Sequence, residues 1–73
     1  MKYQIGDILT SPYPNDESLG LLVDEVKVEE ICESNPFRAK LYPNGYFLVL
    51  VMDSGEYKKW DRQWINEHSH KLA

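Results

Sequence analysis

The chain has one cysteine, Cys32, among 73 residues, so no disulfide can form within it. A single thiol suits a reducing compartment. Cys32 is expected as a small buried or half-buried apolar residue rather than a reactive thiol. The opening MKYQIGDILT has neither the apolar core nor the small-residue cleavage site of a secretory signal. Long hydrophobic runs are missing too: the longest, Tyr46 to Met52, is far short of a membrane span. Together these absences lead to the expectation of a soluble, cytoplasmic protein. No Gly-rich phosphate loop, no CxxC and no Ser-His-Asp spacing occurs, which argues against most enzymes. Repeats and low-complexity tracts are also absent.

Basic residues are outnumbered, 8 against 12 acidic, for a net charge of −4. The imbalance is local. Asp16, Glu17, Asp24, Glu25, Glu29, Glu30 and Glu33 face Lys27 alone between positions 16 and 33, a net of −6 that leaves +2 for the remainder. Lys58, Lys59 and Arg62 cluster near Trp60 and Trp64. Such asymmetry bears on partners and association rates, not on fold. A chain of this length makes one domain and buries only about 60% of its unfolded surface. Its core is small, and small domains often lean on a metal or a partner subunit.

Along the chain, Tyr3 to Thr10 reads as a short strand with a kink at Gly6-Asp7. Pro12 and Pro14 make Ser11 to Ser18 a loop. Leu19 to Val28 resumes as a strand, its apolar parity switching near Val23, which signals a bulge or a bend. Val28, Ile31 and Cys32 also fit a helical stripe, so two readings compete for residues 24–33, with a strand to about Glu33 preferred. Phe37 to Tyr42 alternates as a further strand. Pro43-Asn44-Gly45 and Asp53-Ser54-Gly55 suit tight hairpin loops. Between them Tyr46, Leu48, Leu50 and Met52 share one face and Phe47, Val49 and Val51 the other, so both faces of that strand need cover. Glu56 to Trp60 pairs back, and Asp61 caps a short helical turn, Arg62 to Glu67, that folds Trp64 over the open end.

This pattern predicts an all-β, mainly β fold: an SH3-like small five-stranded barrel over residues 1–67, with a short C-terminal helical turn and a tail at 68–73. The competing arrangement is an open antiparallel sheet crossed by one helix over residues 24–33. The stretch YQIGDILTSPYPNDESLGLLVDEV, followed by a meander ending in YKKWDRQWI, resembles SH3-like and KOW-like barrel domains of the kind common among small bacteriophage proteins. The resemblance rests on Gly6-Asp7 and Gly20-Leu21-Leu22-Val23 and covers residues 3–65. It implies a small barrel that binds nucleic acid, peptides or other proteins, in the host cytoplasm if the protein is viral. The acidic segments here depart from the basic loops of the nucleic-acid-binding type.

Each candidate group has a bland counterpart. His68 and His70 could ligate a metal, but two imidazoles in a tail with one distant cysteine do not make a zinc site by spacing, so no metal or cofactor is expected. Asp24-Glu25 and Glu29-Glu30 could serve acid–base chemistry, yet adjacent acids usually form a solvated face. Tyr13 and Tyr42 could join Trp60 in a shallow aromatic groove for proline-rich peptides, or simply lid the core. Tyr57, Lys58, Lys59, Trp60 and Arg62 could stack on bases and meet phosphates, although a net negative charge opposes nucleic acid. The expected function is that of a non-catalytic protein-interaction module. Asp16, Glu17, Asp24, Glu25, Glu29 and Glu30 steer a basic protein partner, and Tyr13, Tyr42 and Trp64 supply apolar contact. The alternatives are a nucleic-acid-binding barrel using the basic cluster, and a small structural or assembly subunit. The two-faced strand also invites a homodimer.

Overall fold

A computed structural model describes residues 3–34 and 36–72. Four strands form one antiparallel sheet in sequential order: β1 (Ile8–Thr10), β2 (Leu19–Val26), β3 (Tyr46–Val51) and β4 (Tyr57–Asp61). Two short helices, α1 (Val28–Ser34) and α2 (Pro36–Leu41), interrupt the meander between β2 and β3. A third, α3 (Arg62–His68), follows β4. The fold is mainly β, as expected, but the sheet is open and has four strands where a closed barrel of five was expected.

The missing strand is the stretch from Phe37. Its alternation is real, but Arg38, Ala39, Lys40 and Leu41 are all strong helix formers, and Pro36 occupies the first helical position, where its lost N–H costs nothing. Helix therefore wins, and Phe37 and Leu41 are left 80% and 72% exposed. The preferred strand reading of residues 27–33 is overturned as well. β2 pairs with β3 only as far as Val26↔Tyr46. Beyond that point an extended chain would have no partner for its backbone groups. The helix satisfies them internally, and it starts well: Glu30 accepts the Lys27 N–H at 3.4 Å, half of a capping box, and Glu29 and Glu30 sit in the first turn, where the helix dipole favours acids. Cys32, expected at least half buried, is exposed on this helix.

Pro43-Asn44-Gly45 consequently joins α2 to β3 rather than two strands. Gly45 has φ +84°, and a Cβ there would lie 2.5 Å from the Val26 carbonyl oxygen, so no other residue lets this turn close over the end of β2. The second expected hairpin is present. β3 and β4 pair from Tyr46↔Asp61 to Leu50↔Tyr57, and the Gly55 N–H donates to the Val51 carbonyl at 2.8 Å. The bulge expected from the parity switch lies between Leu22 and Asp24. The first strand is shorter than its pattern. Only Ile8–Thr10 is regular, because the kink at Gly6-Asp7 is a closed turn in which the Asp7 carboxylate accepts the Gln4 N–H at 3.0 Å.

One face of the sheet carries the core: Leu9, Leu22, Phe47, Val49, Val51 and Trp60, joined by Tyr3 and by Ile65 of α3. The Trp60 ring lies on Gly20, where an added Cβ would come within 2.5 Å of its Cη2 and 2.3 Å of Val49 Cγ1. The chain end, read as a tail, is docked. The Thr10 N–H donates to the His70 carbonyl at 3.0 Å and the Leu72 N–H to the Ile8 carbonyl at 2.8 Å, forming an antiparallel bridge Leu9↔Lys71. The Tyr3 hydroxyl donates to the Ser69 carbonyl at 2.8 Å.

Candidate functional site

The loop after β1 is built around Asp16. Its carboxylate accepts the Ser11 hydroxyl at 2.9 Å and the Ser18 N–H at 3.0 Å, while the Ser11 N–H donates to the Ser18 carbonyl at 3.0 Å. Hydrogen bonds from Ser18, through side chain and backbone, and then from Ser11 hold this carboxyl below its ordinary value. Pro12 and Pro14 stiffen the same loop on either side of Tyr13.

From this platform Tyr13 reaches the start of α3. Its hydroxyl oxygen accepts the Asp61 N–H at 3.0 Å. The Asp61 carboxylate in turn accepts the N–H groups of Gln63 and Trp64 at 2.9 and 3.2 Å, the expected N-cap. Asp61 therefore ties the loop to the helix that carries Trp64. The Tyr13 and Trp64 rings meet at 5.4 Å between centroids, tilted by 33°, and Trp64 meets His68 one turn later at 5.3 Å. Pro12, Tyr13, Pro14, Trp64 and His68 line a groove of about 340 Å³. Trp64 is 41% exposed there. Tyr13 and Trp64 were expected to supply apolar contact; His68, expected in a tail, ends α3 beside them. The four-residue spacing from Trp64 was the available signal.

The other named residues part company. Trp60, once placed beside Tyr13 and Tyr42, is buried in the core and cannot line a groove or stack on a base. Tyr42 packs on Tyr46 at 4.9 Å; burial, with Tyr13 nearby, pushes its hydroxyl up from the ordinary tyrosine value. Arg62 forms an ion pair with Glu25, which removes one member from the acidic set and one from the basic set. Lys59 lies over the Tyr46 ring at 5.5 Å, while Lys58 and Tyr57 are exposed on β4. The acidic segment is not one lobe. Asp16 and Glu17 precede β2, whereas Asp24 lies five residues along it, on the order of 16 Å away at the rise of a strand. Asp24 lies near the end of β2, Glu29 and Glu30 are in the first turn of α1, and Glu33 is near its C-terminal end.

A larger polar cleft, about 500 Å³, lies between the turn before β3 and α3, lined by Asn44, Arg62, Gln63 and Asn66. Asn44 donates to the Gln63 side-chain carbonyl across it at 2.6 Å. No described helix is long and apolar enough to cross a membrane. The chain matches no protein-family model, no curated protein and no solved structure.

Proposed function

We propose that this chain is a non-catalytic protein-interaction module that docks on a basic protein partner. The observation that supports the reading best is the groove of Pro12, Tyr13, Pro14, Trp64 and His68, whose two large rings are held in place through Asp61. A preset aromatic pair loses little side-chain freedom when a ligand arrives, which is how Tyr and Trp come to anchor interfaces. A prolyl or aromatic side chain of the partner fills the groove. Glu17, Asp24, Glu29 and Glu33 lie exposed outside it and raise the on-rate for a cationic surface, and with it the affinity at low salt. The SH3-like, phage-type resemblance of the Gly6-Asp7 and Gly20-Leu21-Leu22-Val23 stretches belongs to the same proposal.

The test is a titration of the full chain with short peptides containing proline, tyrosine and lysine, read by tryptophan fluorescence and by amide chemical shifts. Binding is expected to move Trp64 and Tyr13 and to weaken between about 50 and 500 mM salt. It should fall by at least about tenfold in Trp64→Ser, corresponding to a lost contact of roughly 1.4 kcal/mol, with the fold retained by circular dichroism. Shifts confined to Lys58 and Lys59, with binding to DNA or RNA at low salt, would replace this reading with nucleic-acid binding.

A further inference from the structure

α3 carries different chemistry on its two flanks. Trp64 and His68 line the apolar groove, and Arg62, Gln63 and Asn66 line the polar cleft on the other side. Residues four apart share a flank of a helix, which places Trp64 with His68 and Arg62 with Asn66. Glu67 stands between the flanks and touches both. Its Oε1 accepts the Gln63 side-chain N–H at 3.1 Å on the cleft side, and its Oε2 lies 3.7 Å from His68 Nε2 on the groove side. The Gln63 amide is held at both ends, since its oxygen accepts Asn44 Nδ2 at 2.6 Å. Glu67 is thereby fixed at the rim of the groove, with 53% of its side chain exposed.

Charge separates Glu67 from the other carboxylates nearby. Asp61 is engaged by the N–H groups of Gln63 and Trp64, Asp16 by Ser11 and Ser18, and Glu25 by the Arg62 guanidinium. Glu67 meets a neutral carboxamide and an imidazole, so its negative charge is presented to whatever lies in the groove. A lysine or arginine side chain answers it with a charge-assisted hydrogen bond. The spacing of that cation is set by the helix. Half the width of a helix, about 5–6 Å, separates the groove from Glu67, which is the rise of about two residues of extended chain.

We infer that Glu67 is the specificity residue of the groove. It selects an extended peptide in which a lysine or arginine stands about two residues from the prolyl or aromatic residue that the groove holds. The inference rests on the docking function proposed above and narrows it, from a basic partner in general to one cation at a defined spacing. Glu17, Asp24, Glu29 and Glu33 act on that partner at a distance; Glu67 touches it.

The experiment titrates the full chain, at about 50 mM salt, with short capped peptides in which lysine precedes or follows a Pro-Tyr pair at that spacing, and with the same peptides carrying norleucine for lysine. Tryptophan fluorescence and the amide shifts of Tyr13 and Trp64 report occupancy of the groove. In one of the two orders the lysine peptide is expected to bind about threefold tighter than its norleucine counterpart, the scale of an exposed ion pair. Glu67→Gln should abolish that preference. Glu67→Lys should invert it, so that a peptide with glutamate at the same place binds best, and circular dichroism checks that both variants fold. Inversion by charge exchange is a response that a purely structural role for Glu67 would not give. A lysine preference that survives Glu67→Gln would overturn the inference and leave the groove as a docking site whose charge selection comes from the distant acids. Equal binding of the lysine and norleucine peptides in both orders would overturn it as well, with the groove itself upheld. If no peptide moved Tyr13 or Trp64, the docking function would fall, and the role of Glu67 with it.

Discussion

β3 and α2 present the same kind of sequence and meet opposite fates. Each alternates apolar residues, Phe47, Val49 and Val51 in one, Phe37, Ala39 and Leu41 in the other. In β3 that alternation becomes a strand with its three residues buried in the core. In α2 it becomes a helix that leaves Phe37 and Leu41 in water. The difference lies in what stands alongside. β3 has a paired neighbour on both edges, β2 and β4, so its backbone groups and one face are satisfied together. α2 has only α1. Alternation thus reports burial only where partner strands exist, and elsewhere local propensity decides.

The comparison can be broken first at β3. Phe47→Ala is expected to cost about 3–5 kcal/mol, enough in so small a domain to abolish cooperative thermal unfolding. A mutant that still melts within a few degrees of the parent would mean that the core is not centred there. Next comes Gly20→Ala, whose methyl collides with Val49 and the Trp60 ring. Overpacking of this kind costs about 1–3 kcal/mol, a fall in melting temperature of roughly 4–8 °C per kcal/mol for a domain of this size. Asp61→Ala removes the cap of α3 and should cost about 1 kcal/mol, with a change in Trp64 fluorescence as the tie to Tyr13 loosens.

The fourth prediction concerns acid. The Asp16 carboxyl lies lower in the folded protein than its ordinary value of 3.8. Its stabilising contribution is therefore complete above that value and is lost as pH falls through the lower folded one. Asp16→Asn should flatten the acid limb of the stability profile below about pH 4, while a superimposable limb would separate the loop from folding. The smallest effect is expected on the arm. Phe37→Ser should shift stability by no more than about 0.5 kcal/mol. A larger loss in a denaturant titration would show that α2 contributes to the core after all.

Several parts of the molecule were legible because their cause is local. The Asp53-Ser54-Gly55 reversal, the cap at Asp61 and the bulge near Val23 each follow from residue types at fixed offsets, and all three are present. Tyr13 and Trp64 were legible as aromatics set apart from the apolar strand faces, the one on a proline-stiffened loop, the other in a capped turn. Their pairing was not, since it depends on the Asp61 N–H meeting a hydroxyl from 48 positions earlier in the chain. Trp60 shows the reverse. Beside Lys58, Lys59 and Arg62 it looked like part of a surface patch, but β4 turns it inward onto Gly20, and Arg62 is held by Glu25 from β2.

Composition, charge and short-range spacing were enough to establish a mainly β chain with its turns, its helix cap and its acidic bias, because each depends on neighbours a few bonds away. Where strands stop was decided in three dimensions. β2 becomes α1 at the point where β3 no longer runs beside it, and a backbone without a partner must bond to itself. The same tertiary pairing determined which aromatic rings went dry and which met in a groove.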